Sequence, residues 1–173
     1  MLLHRIIYFS EIAIPDEDDL ETQLNRILNS ASRRNARLGV TGALIVTNKH
    51  FIQVLEGGRR QLSYLVTLIG GDTRHKNFTL AQFVPADMRI FMQWRLLCMG
   101  ASEVPTHYGS RYSTSGTLEP SLITLNGFHL MFQEIADRYG MREQQPVVMP
   151  TNGGETIPPT MSAADDCGRK VLV

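Results

Sequence analysis

An α+β fold is predicted: an open sheet carrying two helices on one face, followed by a helical extension. Three observations predict it. Short runs rich in β-branched and aromatic residues alternate with two segments of helical period across residues 1–100. Those segments come in the order β-α-β-β-α-β-β. Beyond Gly100 the composition turns polar and then gives one more stripe of helical period. A chain of 173 residues suits one domain with an extension.

Leu2 to Phe9, with Ile6, Ile7 and Tyr8, is the first strand, and it ends in a loop holding Pro15 and the acidic run Asp16 to Asp19. Leu20, Leu24, Ile27, Leu28 and Ala31 then share one helical face. Acids at its start and Arg33 and Arg34 at its end both suit the helix dipole. Val40–Val46 and His50–Leu55 form a hairpin across Thr47-Asn48-Lys49. Gly57-Gly58 breaks the chain before a second helix, whose face is Leu62, Leu65, Val66 and Ile69 and whose stop is Gly70-Gly71. Phe78–Val84 and Phe91–Met99 are the last two strands, separated by Pro85. The first six elements follow the split βαβ order of ferredoxin-like folds. That order is expected to set strands one and three side by side and parallel at the sheet centre, so that Tyr8 and Gln53, near their carboxyl ends, converge.

Residues 101–117 are polar and glycine-containing, and are expected to form a connector. Pro120 suits the first turn of a helix along which Phe128, Met131, Phe132, Ile135 and Tyr139 recur until Gly140. From Glu143 onward there are no aromatic residues, four of the eight prolines and no sustained period, so a disordered tail or docking segment is expected there. The divisions are therefore 1–100, 101–142 and 143–173.

Composition narrows the function. Seventeen basic and seventeen acidic side chains cancel, which removes the long-range attraction to nucleic acid or anionic lipid. No apolar run approaches the ~20 residues of a membrane span, and the N-terminus lacks a signal-peptide layout. Cys98 and Cys167 lie far apart without metal-ligand companions, which fits a reducing cytoplasm. His4, His50, His107 and His129 show no metal-binding spacing, so no metal is expected. Phosphate-cradling glycine loops and nucleophile-elbow motifs are absent.

Three features are unusual for a purely structural domain. Gln53 stands in the apolar run Phe51-Ile52-Gln53-Val54-Leu55. A buried amide there needs partners for about four hydrogen bonds, whereas an outward one faces solvent. Its period-two neighbours Phe51 and Leu55 are apolar and favour the inward side. Tyr8 ends the first strand, either as core packing with its hydroxyl at the rim or as a functional phenol. Ser32-Arg33-Arg34-Asn35-Ala36-Arg37 closes the first helix, either as a solvated end or as one side of a cleft completed by Asp72, Arg74 and His75. Such a cleft between the two helices suits a planar, polar-edged ligand with a charged tail.

These residues stand in ordered blocks: Tyr8-Phe9-Ser10, Asn35-Ala36-Arg37-Leu38-Gly39-Val40-Thr41-Gly42-Ala43-Leu44, Phe51-Ile52-Gln53-Val54-Leu55-Glu56-Gly57, Asp72-Thr73-Arg74-His75 and Arg89-Ile90-Phe91-Met92-Gln93-Trp94. In order and spacing they resemble the BLUF domain, a blue-light sensor using FAD, over residues 1–100. The resemblance implies a flavin between the two helices, as FAD, with FMN or riboflavin also accommodated. It implies that Asn35 bonds the pyrimidine edge of the ring with Arg34 beside it. Asp72, Arg74 and His75 would lie near the ribityl chain and phosphate, and Arg37 would add positive charge there. Gln53 would bridge Tyr8 and the flavin, with light driving an electron and proton from Tyr8 through Gln53 and leaving Gln53 flipped or tautomerised.

In the family a Trp and a Met two residues on compete for the place beside the glutamine. Here Trp94 is kept, but Leu96 stands at the Met position. Leucine cannot accept even a thioether's weak hydrogen bond, which counts against a methionine-based switch and leaves Met92 and Met99 as the nearby thioethers. The resemblance implies a short photoreceptor with no fused enzyme that signals to a separate partner protein. The C-terminal Phe/Met stripe either packs on the sheet face opposite the flavin or self-associates, and a homo-oligomer is expected. Two other classes compete. A ferredoxin-like enzyme of acylphosphatase type would use Arg37 with Asn35, but the loop after the first strand is acidic rather than phosphate-cradling. RNA binding on the sheet lacks the paired aromatics and positive charge it needs.

Overall fold

The computed structural model describes residues 2–15, 20–98, 103–113, 118–139, 141 and 171–172. The expected acidic cluster Asp16–Asp19, the stop at Gly140, and Met99 and Cys167 fall outside them. So does the expected tail apart from its last short strand.

The elements are β1 (Leu3–Ile12), α1 (Leu20–Leu38), β2 (Thr41–Val46), β3 (His50–Gly58), α2 (Arg59–Gly70), β4 (His75–Pro85), β5 (Trp94–Cys98), α3 (Glu103–Tyr112), a 3-10 turn (Pro120–Leu122), α4 (Leu125–Arg138) and β6 (Val171–Leu172). The strands form one sheet in the order β4-β1-β3-β2-β5-β6.

One expectation is corrected here: β1 and β3 are central neighbours, but they run antiparallel. The β1-α1-β2 crossover makes β1 and β2 co-directional. The hairpin from β2 then inserts β3 between them in the opposite sense. Tyr8 and Gln53 still meet, because register pairs them directly across the ladder, and Leu44 of β2 is Gln53's partner on the other side.

Period-two alternation gives each face its own core. Ile6, Leu44, Phe51, Leu55, Trp94 and Leu96 pack against Leu24 and Ile27 of α1 and Leu62 and Leu65 of α2. Ile7, Ala43, Ile45, Ile52, Val54 and Leu97 face the other way, against Tyr108 of α3 and Phe128, Met131, Phe132 and Ile135 of α4. The sheet is therefore covered on both sides, which also removes the open face that base-stacking RNA binding would need.

Gly57 and Gly58 belong to β3 rather than breaking it, pairing with His4 and Leu3. A Cβ on Gly57 would meet Val40 Cγ2 at 2.9 Å, so the residue permits close approach of β3 to the α1–β2 turn. Gly42 is more constrained: at φ +143° its missing Cβ would lie 2.0 Å from the Val54 carbonyl oxygen. Pro85 ends β4, an edge strand whose outer side needs no ladder donor.

The expected connector is instead largely helical, since α3 spans Glu103–Tyr112. Tyr108 is buried against the sheet's core, and that burial outweighs the weak helix preference of Gly109. Pro120 starts the 3-10 turn, not the long helix. α4 begins after Thr124, whose hydroxyl accepts the Gly127 N–H at 3.0 Å as an N-cap. The last strand begins at Trp94 rather than Phe91, because the Ile90 and Phe91 N–H groups bond the Glu56 carboxylate instead of a ladder.

Candidate functional site

α1 and α2 lie over the same sheet face, and the seam between them holds a narrow cavity. β1 and β3 supply its floor as Tyr8 and Gln53. α1 contributes Ile27, Ala31, Arg34 and Asn35, and α2 contributes Leu65 and Ile69. Asp72, Arg74 and His75 stand at the mouth, with Trp94 on the β5 side. Of the ten residues expected here, eight come together. Leu96 is fully buried behind Trp94 in the same core and does not line the cavity.

Arg37 is the outright exception. It is exposed on α1 and does not reach the cavity, whereas Asn35 is 3% exposed inside it. Two residues apart on a helix are about 200° apart around its axis, so they cannot share a face. The same geometry dismantles the Asn35–Arg37 pair that an acylphosphatase-type site would need.

Tyr8 is 1% exposed and Gln53 4%, and the phenol donates to Gln53 Oε1 in a short hydrogen bond. With that oxygen engaged, the Gln53 Nε2 is the end left to serve the cavity. Burial pushes the Tyr8 pKa well above the ordinary phenol range, and the Asp72 carboxylate adds to it. The phenol therefore keeps its proton at neutral pH. Phe78 packs on its ring at 4.9 Å between centroids.

The mouth is less positive than the sequence implies. Asp72 and Arg74 form a two-pronged pair, Arg74 Nε to Asp72 Oδ1 at 2.9 Å with a second short contact from Nη2. The pair lowers the Asp72 pKa and raises that of Arg74. His75 is driven down to about 4 by burial, against the pull of Asp72, so it is neutral at pH 7 rather than cationic. Its Nδ1 lies 2.7 Å from Ser10 Oγ, and its ring meets Phe51 at 4.7 Å.

Two residues escaped the sequence reading. Ser10 is fully buried and anchors His75; its position two residues beyond Tyr8, on the same strand face, was the available signal. Glu56 is fully buried on the opposite face. Its carboxylate accepts Arg5 Nε–H at 2.7 Å and the N–H groups of Ile90 and Phe91 at 2.9 and 3.0 Å. That clamp fixes the β4–β5 connection, helped by Arg89, which donates to Thr41 Oγ1, Glu56 O and Gly39 O.

The donors and acceptors fit a flavin ring. Two carboxamides and a phenol converge, and Trp94 Nε1 is buried with no hydrogen-bond partner. The volume is about 60 Å³, below the ~300–1,000 Å³ usual for ligand sites. No group of His, Cys, Asp and Glu able to hold a metal occurs among the described residues, and no described helix is long and apolar enough to cross a membrane.

Comparison with known proteins bears on this arrangement. The photoactivated adenylate cyclase subunit beta of Euglena longa is 29% identical over 105 residues, 61% of this chain and 12% of that protein. The blue light- and temperature-regulated antirepressor BluF of Escherichia coli (strain K12) is 33% identical over 87 residues, 49% of this chain and 21% of that protein. The chain thus spans only a small part of the curated relatives it matches. Among solved structures, the dark state of BlrB, a BLUF protein, is 26% identical with a TM-score of 0.63, covering 79% of this chain and 97% of that one. BlsA in its photo-activated state shares the fold at a TM-score of 0.70 and 23% identity, over 84% of this chain and all of that one. The family model described as sensors of blue-light using FAD matches residues 3–97. With more than half of its length matched and a buried tyrosine–glutamine pair under two helices on the same sheet face, this chain belongs to the BLUF family of flavin-dependent blue-light sensors.

Proposed function

We propose that this chain is a blue-light photoreceptor that holds FAD between α1 and α2 and turns over no substrate. The hydrogen bond from Tyr8 to Gln53 at the base of the inter-helix cavity carries the reading. A bound flavin, excited by blue light, supplies a strong oxidant there. With the flavin bound as electron acceptor, Tyr8 would give up an electron to it, and the phenolic proton would pass to the hydrogen-bonded Gln53 carboxamide. A protonated, buried phenol is suited to this coupled transfer because its burial disfavours loss of the proton alone. Electron and proton would then return and leave Gln53 flipped or in its tautomeric form, with its hydrogen bonds to Tyr8 and toward the cavity rearranged.

Asn35, buried and facing the cavity, holds the polar edge of the ring, with Arg34 beside it. Arg74 and the neutral His75 serve the ribityl and phosphate end. Because Arg74 is already paired with Asp72, binding of a phosphate competes with an internal carboxylate. FMN and riboflavin share the ring and are alternative occupants.

The signal leaves through β5. Trp94 and Leu96 of that strand lie in the core under α1, and Leu97 lies in the core under α4. The segment entering β5 is also tied to the end of α4 by Met92 N–H to Met141 O at 3.2 Å. Met92 itself is 45% exposed, away from the cavity, so it does not replace a methionine at position 96. Output passes to a separate protein or a second copy of the chain, for which Leu122, Leu125 and Leu130 are exposed on and beside α4.

Absorption spectroscopy tests the reading. Purified protein reconstituted with FAD should show a reversible red shift of its flavin band under blue light. Tyr8→Phe and Gln53→Leu should retain the flavin and lose the shift. A protein that takes up no flavin, or either variant shifting like the parent, overturns it.

A further inference from the structure

A second concavity, far larger than the first at about 900 Å³, lies on the other side of α1, between that helix and the segment that enters β5. It contains none of Tyr8, Gln53 or Asn35. Three arginines line it, Arg33, Arg89 and Arg95, and no carboxylate among the described residues does. Among the described residues none of the three forms an ion pair. Arg33 Nε donates to the Asn29 carbonyl at 3.0 Å, and Arg89 bonds only a hydroxyl and two carbonyls. Three uncompensated cations in one cleft are conspicuous in a chain whose formal charge is zero. Positive charge gathered this way without a carboxylate to neutralise it is suited to attracting an opposite charge from outside.

The rest of the lining sets the kind of anion. Leu28, Val40 and Met92 supply apolar wall, and Met92 is 45% exposed. Aliphatic side chains interleaved with acidic ones match that mixture. A phosphate backbone would use the arginines and leave the apolar wall unpaired.

Trp94 gives the cleft its link to the flavin site. Its indole lines both concavities, is 7% exposed, and its Nε1–H has no partner. One side chain therefore walls off two binding spaces. A ligand that fixes the indole from either side changes the other space by the same coupling free energy.

We propose that this cleft is the docking site for an acidic, amphipathic segment of a partner protein, and that its affinity is tied to the light state through Trp94. The light dependence rests on the photoreceptor reading above; dark binding does not.

The probe is a fluorescent peptide of alternating acidic and aliphatic residues, titrated into the full, FAD-loaded chain at low ionic strength in the dark and under blue light. Binding should weaken as salt rises. The double variant Arg33→Glu/Arg95→Glu should bind at least ~10-fold more weakly, and a lysine-for-acid version of the peptide should regain affinity for that variant. Retention of the flavin red shift by the variant shows that it is folded. Dark and lit affinities should differ by about fivefold or more. The proposal is overturned if neither protein binds the peptide, if the double variant binds it as the parent does, or if a single-stranded oligonucleotide competes for the same arginines more tightly. Equal affinity in the two states, alongside a normal red shift, refutes the coupling through Trp94. Absence of any red shift in the parent chain fails the photoreceptor reading instead and leaves the dark titration to judge the cleft.

Discussion

Acidification should destabilise this protein through His75 before its carboxylates titrate. The imidazole is held against the rings of Tyr8 and Phe51 with its Nδ1 on Ser10 Oγ, and burial drives its pKa to about 4. The unfolded chain returns it to about 6.5. Between those values the unfolded state binds a proton that the folded state does not, so stability falls as pH drops through the window and is fully present above it. The limiting slope is ~1.4 kcal/mol per pH unit, and integrating from neutrality to about pH 5 gives a loss of about 2 kcal/mol. The Asp72 pKa is lowered as well, mainly by its hydrogen bond to Arg74, so it too loses stability on acidification, but only as pH falls below the ordinary carboxylate range, in a window below that of His75. His129 is also lowered by burial and contributes in the same direction as His75. A variant is therefore needed to isolate the effect. Urea denaturation of the parent and of His75→Gln near pH 7 and about pH 5 supplies the comparison. The parent should lose about 2 kcal/mol more than the variant. Equal losses would refute the argument that burial keeps this imidazole neutral.

Three further substitutions probe the framework. Gly42→Ala places a Cβ 2.0 Å from the Val54 carbonyl at a φ of +143°, so it should cost about 3 kcal/mol or more and show as a lowered urea midpoint or insoluble protein. Glu56→Gln keeps the shape of the clamp but leaves Arg5, itself 11% exposed, facing a neutral amide at a fully buried position. A loss of about 3 kcal/mol is expected, with faster hydrogen exchange at Ile90 and Phe91 as its local signature. Trp94→Phe removes a buried N–H that has no partner while keeping an aromatic ring. It should cost less than about 1 kcal/mol, because relief of the orphan donor offsets the lost volume, against ~3–5 kcal/mol for aromatic truncation to alanine.

The fold was largely legible because hydrophobic period reports which face is buried, and each of the seven expected β and α segments was found near its expected place. Period does not report strand direction, and the parallel setting of β1 and β3 was wrong for that reason: direction follows from how the hairpin inserts between β1 and β2. Period also fails where packing outweighs propensity. Residues 103–112 look polar and glycine-containing, but one buried tyrosine is enough to seat them on the sheet as α3. At the site, Gln53 stood out as a polar residue in an apolar run, Tyr8 as a phenol ending a strand and Asn35 within the polar cluster closing the first helix, and all three line the cavity. Arg37 was misassigned because basic residues cluster in sequence there while helical geometry sends them in different directions. The neutrality of His75 was invisible, since it depends on Phe51 and Ser10 from two other strands. Glu56 stood in the quoted Leu55-Glu56-Gly57 block, yet nothing in the block says that its carboxylate holds a loop more than thirty residues further on.

Leucine at position 96 bears on how such a sensor switches. In a close-packed core, removing an aromatic side chain without replacement costs ~3–5 kcal/mol. Trp94 is 7% exposed, and Leu96 beside it is already fully buried with no polar atom to offer Gln53. An exchange in which residue 96 takes the tryptophan's place would leave a void and gain no hydrogen bond. The opposing quantity is the orphaned indole N–H, which carries a penalty of ~1–3 kcal/mol as long as it stays unpaired. A Gln53 whose carboxamide has turned presents its oxygen differently, and an acceptor brought within reach of Nε1 removes that penalty without moving Trp94 out. Under the proposed photoreceptor reading the smaller change is the favoured one: a hydrogen bond gained or lost by an indole that stays in the wall would cost less than a tryptophan–leucine exchange. A signal stored that way would leave both cores packed and would act on β5, whose Trp94 lies in one core and Leu97 in the other.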